Sequence, residues 1–418
     1  MKTASIHSLL LTDTFLPHIG GRENYYHHLF SRFGGDRAII LTPDKVGDYE
    51  AFDRTYPLPI VRINRISQVW WRWGIRGRIQ WLRQLYRICR DRQIAVVHCG
   101  LVLPDGLTGW LVRKTLGQPY IIYTHGKEIL ENQNHPEKSQ LMQIALSEAS
   151  RIACNSRYTG KLLEAVGVPP EKIVPILPGI EPQQWLSEPD PQRVEELRQK
   201  YGLADRPVIL SVGRLIERKG CDRVLEAFPK IRSRFPDAVY LIVGEGPMRS
   251  QLEQLRDRLD LQQSVIFAGE VSDADLRVYY TLATLFAMVS RQPPGSHEVE
   301  GFGIVYLEAN ACGLPVVAGD SGGVSDAVVH GKTGFLVDPF NPDAIADAII
   351  PLLADPQLAQ QMGKTGKERA INEFSWDTRS QALQQLTAEV AQETKGRSLF
   401  PSAAIHTLPL MLQRQIFR

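Results

Sequence analysis

Two carboxylates, Glu300 and Glu308, stand on either side of a glycine loop that opens into a helix pattern. Gly301 and Gly303 let a ligand approach the backbone, and the first helical turn would offer free N–H groups and a positive dipole end to an anion. One carboxylate on the loop and one inside the helix could bind different hydroxyls of one polyol, as in a sugar nucleotide. A short motif of this kind also arises by chance, and the spacing alone leaves both interpretations open.

Two cations, Arg214 and Lys219, follow the apolar run Val208 to Val212 at the start of the next strand-to-helix loop. Arginine presents a planar fork and lysine a point charge, and fixed cations stabilise the charge that a leaving diphosphate gains during transfer. Because basic residues are common on protein surfaces, spacing alone favours an ordinary solvated pair. Arg218 is a neighbouring cation that could be mistaken for the ligand.

Two more candidate sites follow strand patterns in the first half of the chain. Gly20 and Gly21 lie between a strand that ends near Asp13 and a helix pattern, so their N–H groups could face a phosphate or an acceptor. A plain turn is an equally good interpretation. His125 ends a buried-looking strand and would point into a cleft, where it could hydrogen-bond a sugar hydroxyl, although a lone histidine is more often structural.

Short apolar runs alternate with helical patterns along the chain, which predicts a doubly wound α/β protein with two halves of Rossmann type. The predicted strands are Ile6 to Leu11, Ala38 to Leu41, Ala95 to His98, Tyr120 to Tyr123, Arg151 to Cys154, Val208 to Val212, Ala238 to Val243, Val265 to Ala268, Thr284 to Val289 and Pro315 to Ala318. A proline-rich join at residues 168–191 is the predicted hinge region. We expect the ligand in the cleft between the halves, at the carboxyl ends of the strands.

The composition excludes several other classes of protein. With 418 residues, 43% of them hydrophobic, the chain can bury two cores, and its net charge of +2 argues against a general nucleic-acid binder. Five cysteines without a C-x-x-C pair predict a reducing compartment and neither a disulfide framework nor a zinc site. The N-terminal apolar run is too interrupted for a signal peptide, and no stretch approaches the roughly 18 to 20 apolar residues of a membrane span. We expect a cytoplasmic protein.

Five motifs, in the same order along the chain, resemble those of the retaining glycosyltransferases of family 4. The stretch Val299 to Ala309 looks like the E-x7-E signature of that family and is similar to the mannosyltransferases that build phosphatidylinositol mannosides. The other four motifs are Thr12 to Gly21, Thr124 to Gly126, Val212 to Leu215 with Lys219, and Val243 to Pro247. The resemblance implies a GT-B fold, in which two Rossmann-like domains face a central cleft.

On this family pattern the chain divides into five parts. Residues 1–178 would form an acceptor-side domain, residues 179–205 an inter-domain linker, and residues 206–373 a donor domain that binds the nucleotide sugar. Residues 374–395 would form a helix that crosses back to the first domain. No role is assigned to residues 396–418.

The resemblance also implies roles for the candidate residues. Glu300 would contact hydroxyls of the transferred sugar, Glu308 the donor ribose, and Arg214 with Lys219 the diphosphate, since the register of the family selects Lys219 over Arg218. The catalytic set would be Glu300, His125, Arg214 and Lys219. Further donor-binding positions would be Gly20, Gly21, Glu245, Gly246, Val271, Gly301, Phe302, Gly303 and Ile304.

No covalent nucleophile and no set of metal ligands stands out, so we expect a nucleotide-sugar co-substrate and no cofactor. Asp273 and Asp275 spell the D-x-D mark of a different glycosyltransferase architecture. Because they follow Ser272, they are better explained as the first-turn acids of a capped helix. Asp326 stands where the family often has glutamate, which shortens the reach of that side chain.

The segment from Arg62 to Arg92 contains nine arginines, one acid and four of the seven tryptophans. A basic amphipathic helix flanked by tryptophans can lie on an anionic bilayer, where each basic residue near the surface contributes about 1 kcal/mol. A core-packed helix with arginines along its outer face explains the same pattern equally well. Membrane binding would predict a lipid or lipid-linked acceptor.

We predict a retaining glycosyltransferase that transfers a hexosyl group, preferably mannose from GDP-mannose, to a lipid or glycan acceptor in glycolipid or polysaccharide biosynthesis. The rival enzymes are a family 4 glycosyltransferase that uses a UDP-sugar and a sugar-nucleotide epimerase, which would need no acceptor. A non-catalytic sugar- or membrane-binding protein on the same fold is the rival of another class, and the intact set of charged motif residues argues against it. We expect a peripheral location on the inner face of the membrane if the basic segment binds lipid.

Overall fold

The structure is a computed structural model that describes residues 7–18, 20–35, 37–43, 49–63 and 75–395. Contacts among these residues divide the chain into two compact units. The first unit contains the described residues up to Asn155, the stretch Thr159–Ile176 and the helix residues from Asp377 onward. The second unit contains Ser156–Tyr158 and Leu177–Trp376.

The first unit is built on a sheet of seven parallel strands. They are β1 (Ser8–Leu11), β2 (Ala38–Pro43), β3 (Ile60–Ile63), β4 (Val96–Cys99), β5 (Tyr120–Thr124), β6 (Arg151–Cys154) and β7 (Ile173–Pro175). Their order is β3-β2-β1-β4-β5-β6-β7, the order of a doubly wound nucleotide-binding sheet extended by one strand. A sheet of this kind is covered on both faces, so its inner strands are continuous apolar runs, and β1 is buried at every position.

The second unit contains six parallel strands. They are β8 (Val208–Val212), β9 (Val239–Val243), β10 (Val265–Gly269), β11 (Leu285–Met288), β12 (Val316–Gly319) and β13 (Gly334–Val337). Their order, β10-β9-β8-β11-β12-β13, repeats the doubly wound pattern. Two separate apolar clusters contain residues from its strands, one with Leu210 and Phe286 and one with Ile209 and Leu285. Neighbouring residues of one strand therefore enter different clusters, as the alternation of side chains along a strand requires.

Seventeen α-helices lie among the described residues. They are α1 (Gly21–Phe30), α2 (Glu50–Thr55), α3 (Ile75–Asp91), α4 (Leu107–Leu116), α5 (Lys127–Gln133), α6 (Pro136–Glu148), α7 (Arg157–Ala165), α8 (Pro182–Leu186), α9 (Pro191–Lys200), α10 (Cys221–Arg234), α11 (Arg249–Arg258), α12 (Asp273–Leu282), α13 (Ile304–Ala311), α14 (Val324–Ala327), α15 (Pro342–Ala354), α16 (Pro356–Glu373) and α17 (Trp376–Lys395). Several begin where the sequence supplies a cap, as in α15, where the Asn341 side chain accepts the N–H groups of Asp343 and Ala344.

All ten predicted strands are present, each within two residues of its predicted limits among the described positions. Three strands were not predicted, namely β3, β7 and β13. Each of the three lies at an edge of its sheet and is mostly half-buried. Edge strands need no continuous apolar run, because one side and part of their faces meet solvent, and their sequence signal is correspondingly weak.

From Trp81 onward, α3 has one apolar face that packs into the core and one basic face that is exposed. On α3, Trp81, Leu85 and Cys89 are buried in the core of the first unit, while the arginines between them are exposed. Arg62 is also structural, since its guanidinium makes two 2.7 Å hydrogen bonds to Asp53. Three of the four tryptophans in this segment, at positions 70, 71 and 73, lie outside the described residues, as does the predicted tail at 396–418.

The predicted linker at residues 179–205 forms α8 and α9. Ile180, Trp185 and Leu197 from this stretch are buried in one core cluster of the second unit. At the other end of the chain, α17 belongs to the first unit from Asp377 onward. Ser380 on α17 donates a 2.7 Å hydrogen bond to the Leu29 carbonyl of α1, which fixes this helix against the unit.

Candidate functional site

In both sheets the strand order reverses direction at a central pair, β1 with β4 and β8 with β11. Doubly wound proteins bind ligands at the carboxyl ends of strands at such a point. In the second unit, β8 leads into the loop with Arg214 and Lys219, and β11 leads into the loop with Glu300. The topology thus brings the two strongest sequence motifs of this unit to one edge of one sheet.

Glu300 is buried and receives hydrogen bonds from side chains of both loops. Its Oε2 atom accepts hydrogen bonds from Lys219 Nζ at 2.7 Å and from Ser290 Oγ at 3.2 Å, and Arg218 donates to the same oxygen. Burial by itself would raise the pKa of this carboxyl, but the charges of Lys219 and Arg218 outweigh burial and lower the pKa to about 2. Glu300 is therefore a buried carboxylate that remains ionised at physiological pH.

Arg218 was not chosen from the sequence, although the structure brings it to Glu300 together with Lys219. Both cations belong to a 3-10 turn, Glu217–Lys219, that ends just before α10. Their side chains are only 18% and 13% exposed. Arg214 lies at the start of the same loop with an exposed side chain, and its contact with a diphosphate stays a prediction. The only signal for Arg218 was the presence of a second basic residue beside Lys219.

A buried ion pair holds the two loops together. The Arg291 guanidinium, 1% exposed as a residue, makes hydrogen bonds of 2.9 and 2.8 Å to the two carboxylate oxygens of Asp222 on α10. The Arg291 backbone N–H also donates a 2.8 Å hydrogen bond to the Arg218 carbonyl. The loop after β11 and the loop after β8 are thus fixed to each other beside Glu300. Neither residue was predicted as part of the site.

Glycines shape the loop between Glu300 and α13. Gly303 precedes α13 with φ +87°, a backbone conformation that favours glycine, and a Cβ there would collide with the Tyr306 ring. Gly323 donates a 2.9 Å hydrogen bond to the Glu300 carbonyl, and a Cβ at Gly323 would collide with the Gly301 carbonyl oxygen. Gly301 itself is half-buried. Gly323 therefore supports the carboxylate loop directly.

Three further donor-side candidates, Phe302, Ile304 and Glu308, follow Glu300 in the loop and in α13. Phe302 is buried in the core and Ile304 is half-buried at the start of α13, so each holds the loop in place. Glu308 accepts a 2.9 Å hydrogen bond from the buried Tyr280 hydroxyl. That contact orients the second carboxylate of the motif, which lies on the second turn of α13.

On the other side of β8, the loop after β9 packs on the loop after β8. The Leu215 N–H donates a 2.9 Å hydrogen bond to the Glu245 carbonyl, and a Cβ at Gly246 would lie 2.5 Å from the Leu215 carbonyl oxygen. The Glu245 side chain is exposed and pairs with Arg249 at 3.0 Å. Val271 is half-buried and packs against the core. These positions lie where the sequence predicted the nucleotide side, but their ligand contacts stay predictions.

In the first unit, Gly20 and Gly21 open α1 at the carboxyl end of β1. A Cβ at Gly20 would collide with the Glu23 carboxylate, which is buried, whereas nothing lies within 4 Å of a Cβ at Gly21. Nearby, Arg22 makes hydrogen bonds of 3.1 and 3.4 Å to Asp13. The carboxylates of Asp13 and Glu23 therefore lie beside the N-terminus of α1.

His125 lies just beyond β5 and is held at two points. Its backbone N–H donates a 2.6 Å hydrogen bond to the Glu128 carboxylate, and its Nε2 atom lies 2.8 Å from the Tyr26 hydroxyl. Burial, with a further effect from Arg22, lowers the pKa of His125 to about 3. The imidazole is therefore neutral at physiological pH, which suits a hydrogen-bonding role and not that of a charged acid.

No group of three or more histidine, cysteine or acidic residues within the described part of the chain is arranged to hold a metal ion. Asp275 of the formal D-x-D is a helix-start residue, because its N–H donates to the Ser272 side chain at 3.1 Å. Asp326 is buried and accepts a 2.6 Å hydrogen bond from the Arg157 N–H. Asp275 therefore belongs to a helix cap, and Asp326 has a backbone N–H as its partner.

Comparison with known proteins gives the family. A family model described as Glycosyltransferase Family 4 matches residues 19–184, and one described as Glycosyl transferases group 1 matches residues 193–369. The chain is 32% identical to the GDP-mannose-dependent alpha-(1-6)-phosphatidylinositol monomannoside mannosyltransferase of Mycolicibacterium smegmatis, over 90% of this chain and 97% of that protein. The chain belongs to the family 4 glycosyltransferases. The sequence-based prediction of a family 4 enzyme is confirmed.

Two further comparisons agree with this assignment. The GDP-mannose-dependent monoacylated alpha-(1-6)-phosphatidylinositol monomannoside mannosyltransferase of Corynebacterium glutamicum is 29% identical over 91% of this glycosyltransferase and 97% of its own length. The crystal structure of Anabaena HepE in complex with UDP has a TM-score of 0.78 and 21% identity, and covers 92% of this chain and 100% of that chain. The α/β fold of GT-B class predicted from the sequence is confirmed. Among the described helices of this enzyme, none combines the length and the apolar character of a membrane span.

Proposed function

We propose that this glycosyltransferase transfers a mannosyl group from GDP-mannose, with retention of anomeric configuration, to a hydroxyl of a lipid-linked acceptor. The observation that carries the proposal is the buried, ionised Glu300 carboxylate in contact with Lys219 and Arg218. A carboxylate accepts hydrogen bonds from sugar hydroxyls, and the two cations match a diphosphate. One edge of one sheet therefore offers partners for both chemical groups that a nucleotide sugar presents.

The same edge suits the rest of the donor. Glu308 is oriented by the hydrogen bond from Tyr280, and a carboxylate in this position can also accept hydrogen bonds from the ribose hydroxyls. The first N–H groups of α13, just after Gly303, face the end of the loop and can bind a phosphate oxygen. The donor would thus extend from Glu300 at the sugar to the loops after β9 and β10 at the base.

In the proposed reaction the bond between C1 of the mannose and the diphosphate oxygen breaks. The acceptor oxygen forms its bond to C1 on the same face of the sugar, and the leaving diphosphate takes the proton of the acceptor hydroxyl. Fixed cations close to the diphosphate stabilise the negative charge that develops on it. We assign this role to Lys219, as the sequence predicted, and to Arg218, which contacts Glu300 together with Lys219, while the buried Glu300 orients the sugar.

The names of the relatives from Mycolicibacterium smegmatis and Corynebacterium glutamicum support GDP-mannose as the donor. Calorimetric titration with GDP-mannose, GDP and UDP-glucose tests it. We expect binding of the guanosine compounds, weakened at least roughly tenfold in Lys219→Ala, because a charge-assisted hydrogen bond is lost. Lys230→Ala is the matched control, since Lys230 makes surface ion pairs on α10. Preference for UDP-glucose would overturn the donor, and hydrolysis or epimerisation without any transfer would overturn the reaction.

The lipid-linked acceptor is supported by the names of the same relatives and by the exposed arginines Arg83 and Arg87 on α3. Neutral phosphatidylcholine vesicles, compared with anionic vesicles that contain phosphatidylinositol, distinguish a lipid surface from a free glycan as the partner. We expect sedimentation with the anionic vesicles only, reduced in the double variant Arg83→Gln/Arg87→Gln because each basic residue near the surface contributes about 1 kcal/mol. A double control, Arg234→Gln/Arg258→Gln, removes two exposed arginines from the second unit. Equal sedimentation of both double variants would contradict a role for α3.

A further inference from the structure

The direction of the hydrogen bond from the Tyr26 hydroxyl determines which ring nitrogen of His125 carries the proton. Tyr26 is fully buried, and its oxygen has two polar neighbours, the Gly100 carbonyl and His125 Nε2. A carbonyl only accepts hydrogen bonds, and a phenol has a single proton to donate. Tyr26 must therefore donate to Gly100 and accept from His125. It follows that Nε2 of His125 carries the proton.

A neutral imidazole with its proton on Nε2 has an unprotonated Nδ1, which is a hydrogen-bond acceptor. The surroundings hold the ring in this state. The Gly100 N–H donates a 2.8 Å hydrogen bond to the Leu11 carbonyl at the end of β1. The residue whose carbonyl accepts the hydrogen bond from Tyr26 is therefore fixed to the end of a central strand. The Glu128 carboxylate holds the backbone of His125, just before α5 begins. Both ends of the hydrogen-bonded chain are thus fixed to regular elements.

We propose that Tyr26 is a positioning residue that fixes His125 as the Nε2–H tautomer, so that Nδ1 accepts a hydrogen bond from a hydroxyl of the substrate. The proposal rests on the glycosyl transfer proposed above, because a sugar or polyol supplies that hydroxyl. It also has a consequence for specificity. A substrate that presents only an acceptor at this point, such as a fluorine in place of the hydroxyl, leaves Nδ1 without a partner and binds less tightly.

The tautomer can be measured directly in the substrate-free enzyme. In protein with 15N-labelled histidine, NMR correlation of ring protons with ring nitrogens distinguishes a protonated from an unprotonated nitrogen, and His125→Gln identifies the signals of His125. We expect a protonated Nε2, an unprotonated Nδ1 and no titration between pH 5 and 8, since burial lowers the pKa to about 3. A protonated Nδ1, or a ring that titrates in this range, would overturn the proposal.

The matched pair of variants is Tyr26→Phe and Tyr123→Phe. Tyr123 is also fully buried in the first unit, and its hydroxyl lies 3.0 Å from Nδ1 of His98. Each variant therefore removes one tyrosine–histidine hydrogen bond from the same unit. We expect Tyr26→Phe alone to shift the His125 signals toward a mixture of tautomers and to lower kcat/KM by roughly tenfold, the value of one hydrogen bond.

The two variants also separate positioning from a general loss of packing. Equal losses of kcat/KM in both variants, or unchanged His125 signals in Tyr26→Phe, would contradict the role of Tyr26. If Tyr26→Phe does not fold, the wild-type spectrum still decides the tautomer. If the enzyme transfers no sugar from any donor, the proposed function fails while the spectrum, which needs no substrate, tests the tautomer independently.

Discussion

Replacement of Glu300 by glutamine should weaken both the second unit and the transfer reaction. The side chain is only 9% exposed and receives hydrogen bonds from Lys219, Arg218 and Ser290. Glutamine has nearly the same size but no charge. The variant therefore keeps the packing of the loop while two largely buried cations lose the anion between them.

The size of the effect follows from the pKa of Glu300. This pKa lies at about 2 in the folded protein, below the ordinary value of 4.5. The ionised form thus stabilises the fold at pH values above 4.5, and the difference corresponds to about 3 kcal/mol of unfolding free energy at pH 7. Below about pH 4.5 the carboxyl of the unfolded chain takes up a proton first, so this contribution decreases and disappears once the folded carboxyl is also protonated near pH 2. The stability gap between wild type and variant should close over the same interval.

Urea unfolding of wild type and Glu300→Gln at a series of pH values measures this gap. The control is Glu253→Gln, because Glu253 pairs with Arg249 at the surface of the same unit and an exposed pair contributes about 0.5 kcal/mol. In the transfer assay we expect Glu300→Gln to lose roughly a hundredfold or more in kcat, as for other preorganised charged groups at a reacting sugar or acyl group. A gap no larger than that of the control, or a gap independent of pH, would refute the buried ion cluster. Near-wild-type turnover would refute the assignment of Glu300 to the sugar.

Three further substitutions test the supports of the site. Asp222→Ala should cost roughly 3 kcal/mol of unfolding free energy, measured by urea unfolding, because it leaves the buried Arg291 without its carboxylate; a loss below that of a surface pair would contradict this. Tyr280→Phe should raise the donor KM several-fold with kcat retained, because Glu308 loses its orienting hydrogen bond; an unchanged KM would show that Glu308 needs no such partner. Gly323→Ala should abolish donor binding by calorimetry with the unit still folded by circular dichroism, because the new methyl group would displace the carboxylate loop; normal binding would show that the loop can move at no cost.

The fold was predictable where burial leaves a strong pattern in the sequence. Strands such as β8 and β9 lie inside the sheet and are buried at every position, so a mostly apolar run, interrupted only by Ser211 in β8, marks each of them. The edge strand β3 reads Ile-Val-Arg-Ile and is half-buried throughout. Its arginine is used in an ion pair with Asp53, a tertiary contact that no local pattern reveals. The second half of α3 was ambiguous for a related reason, since a basic outer face looks the same on a core helix and on a membrane-surface helix.

The candidate site was predictable in its residue types and less so in its contacts. The sequence identified Glu300 and Lys219, which the structure brings together, because glycines and charges recur in a family pattern. It selected Lys219 over Arg218 for the diphosphate and did not predict that both cations contact Glu300. That double contact depends on the 3-10 turn at Glu217–Lys219, which brings two consecutive cations to the same carboxylate. A local change of helix type of this kind leaves no periodic signal.

The supports of the carboxylate loop come from distant parts of the chain, and this explains why a motif alone does not define the site. Asp222 and Arg291 are 69 positions apart, yet their ion pair fixes the loop of Lys219 to the loop of Glu300. A buried ion pair contributes little net stability compared with apolar packing of the same volume. Its geometry, however, is strongly directional, since each of the two terminal guanidinium nitrogens donates to a different carboxylate oxygen. The pair therefore serves to align the loop of Lys219 with the loop of Glu300, which the Glu300 and Glu308 motif does not do by itself.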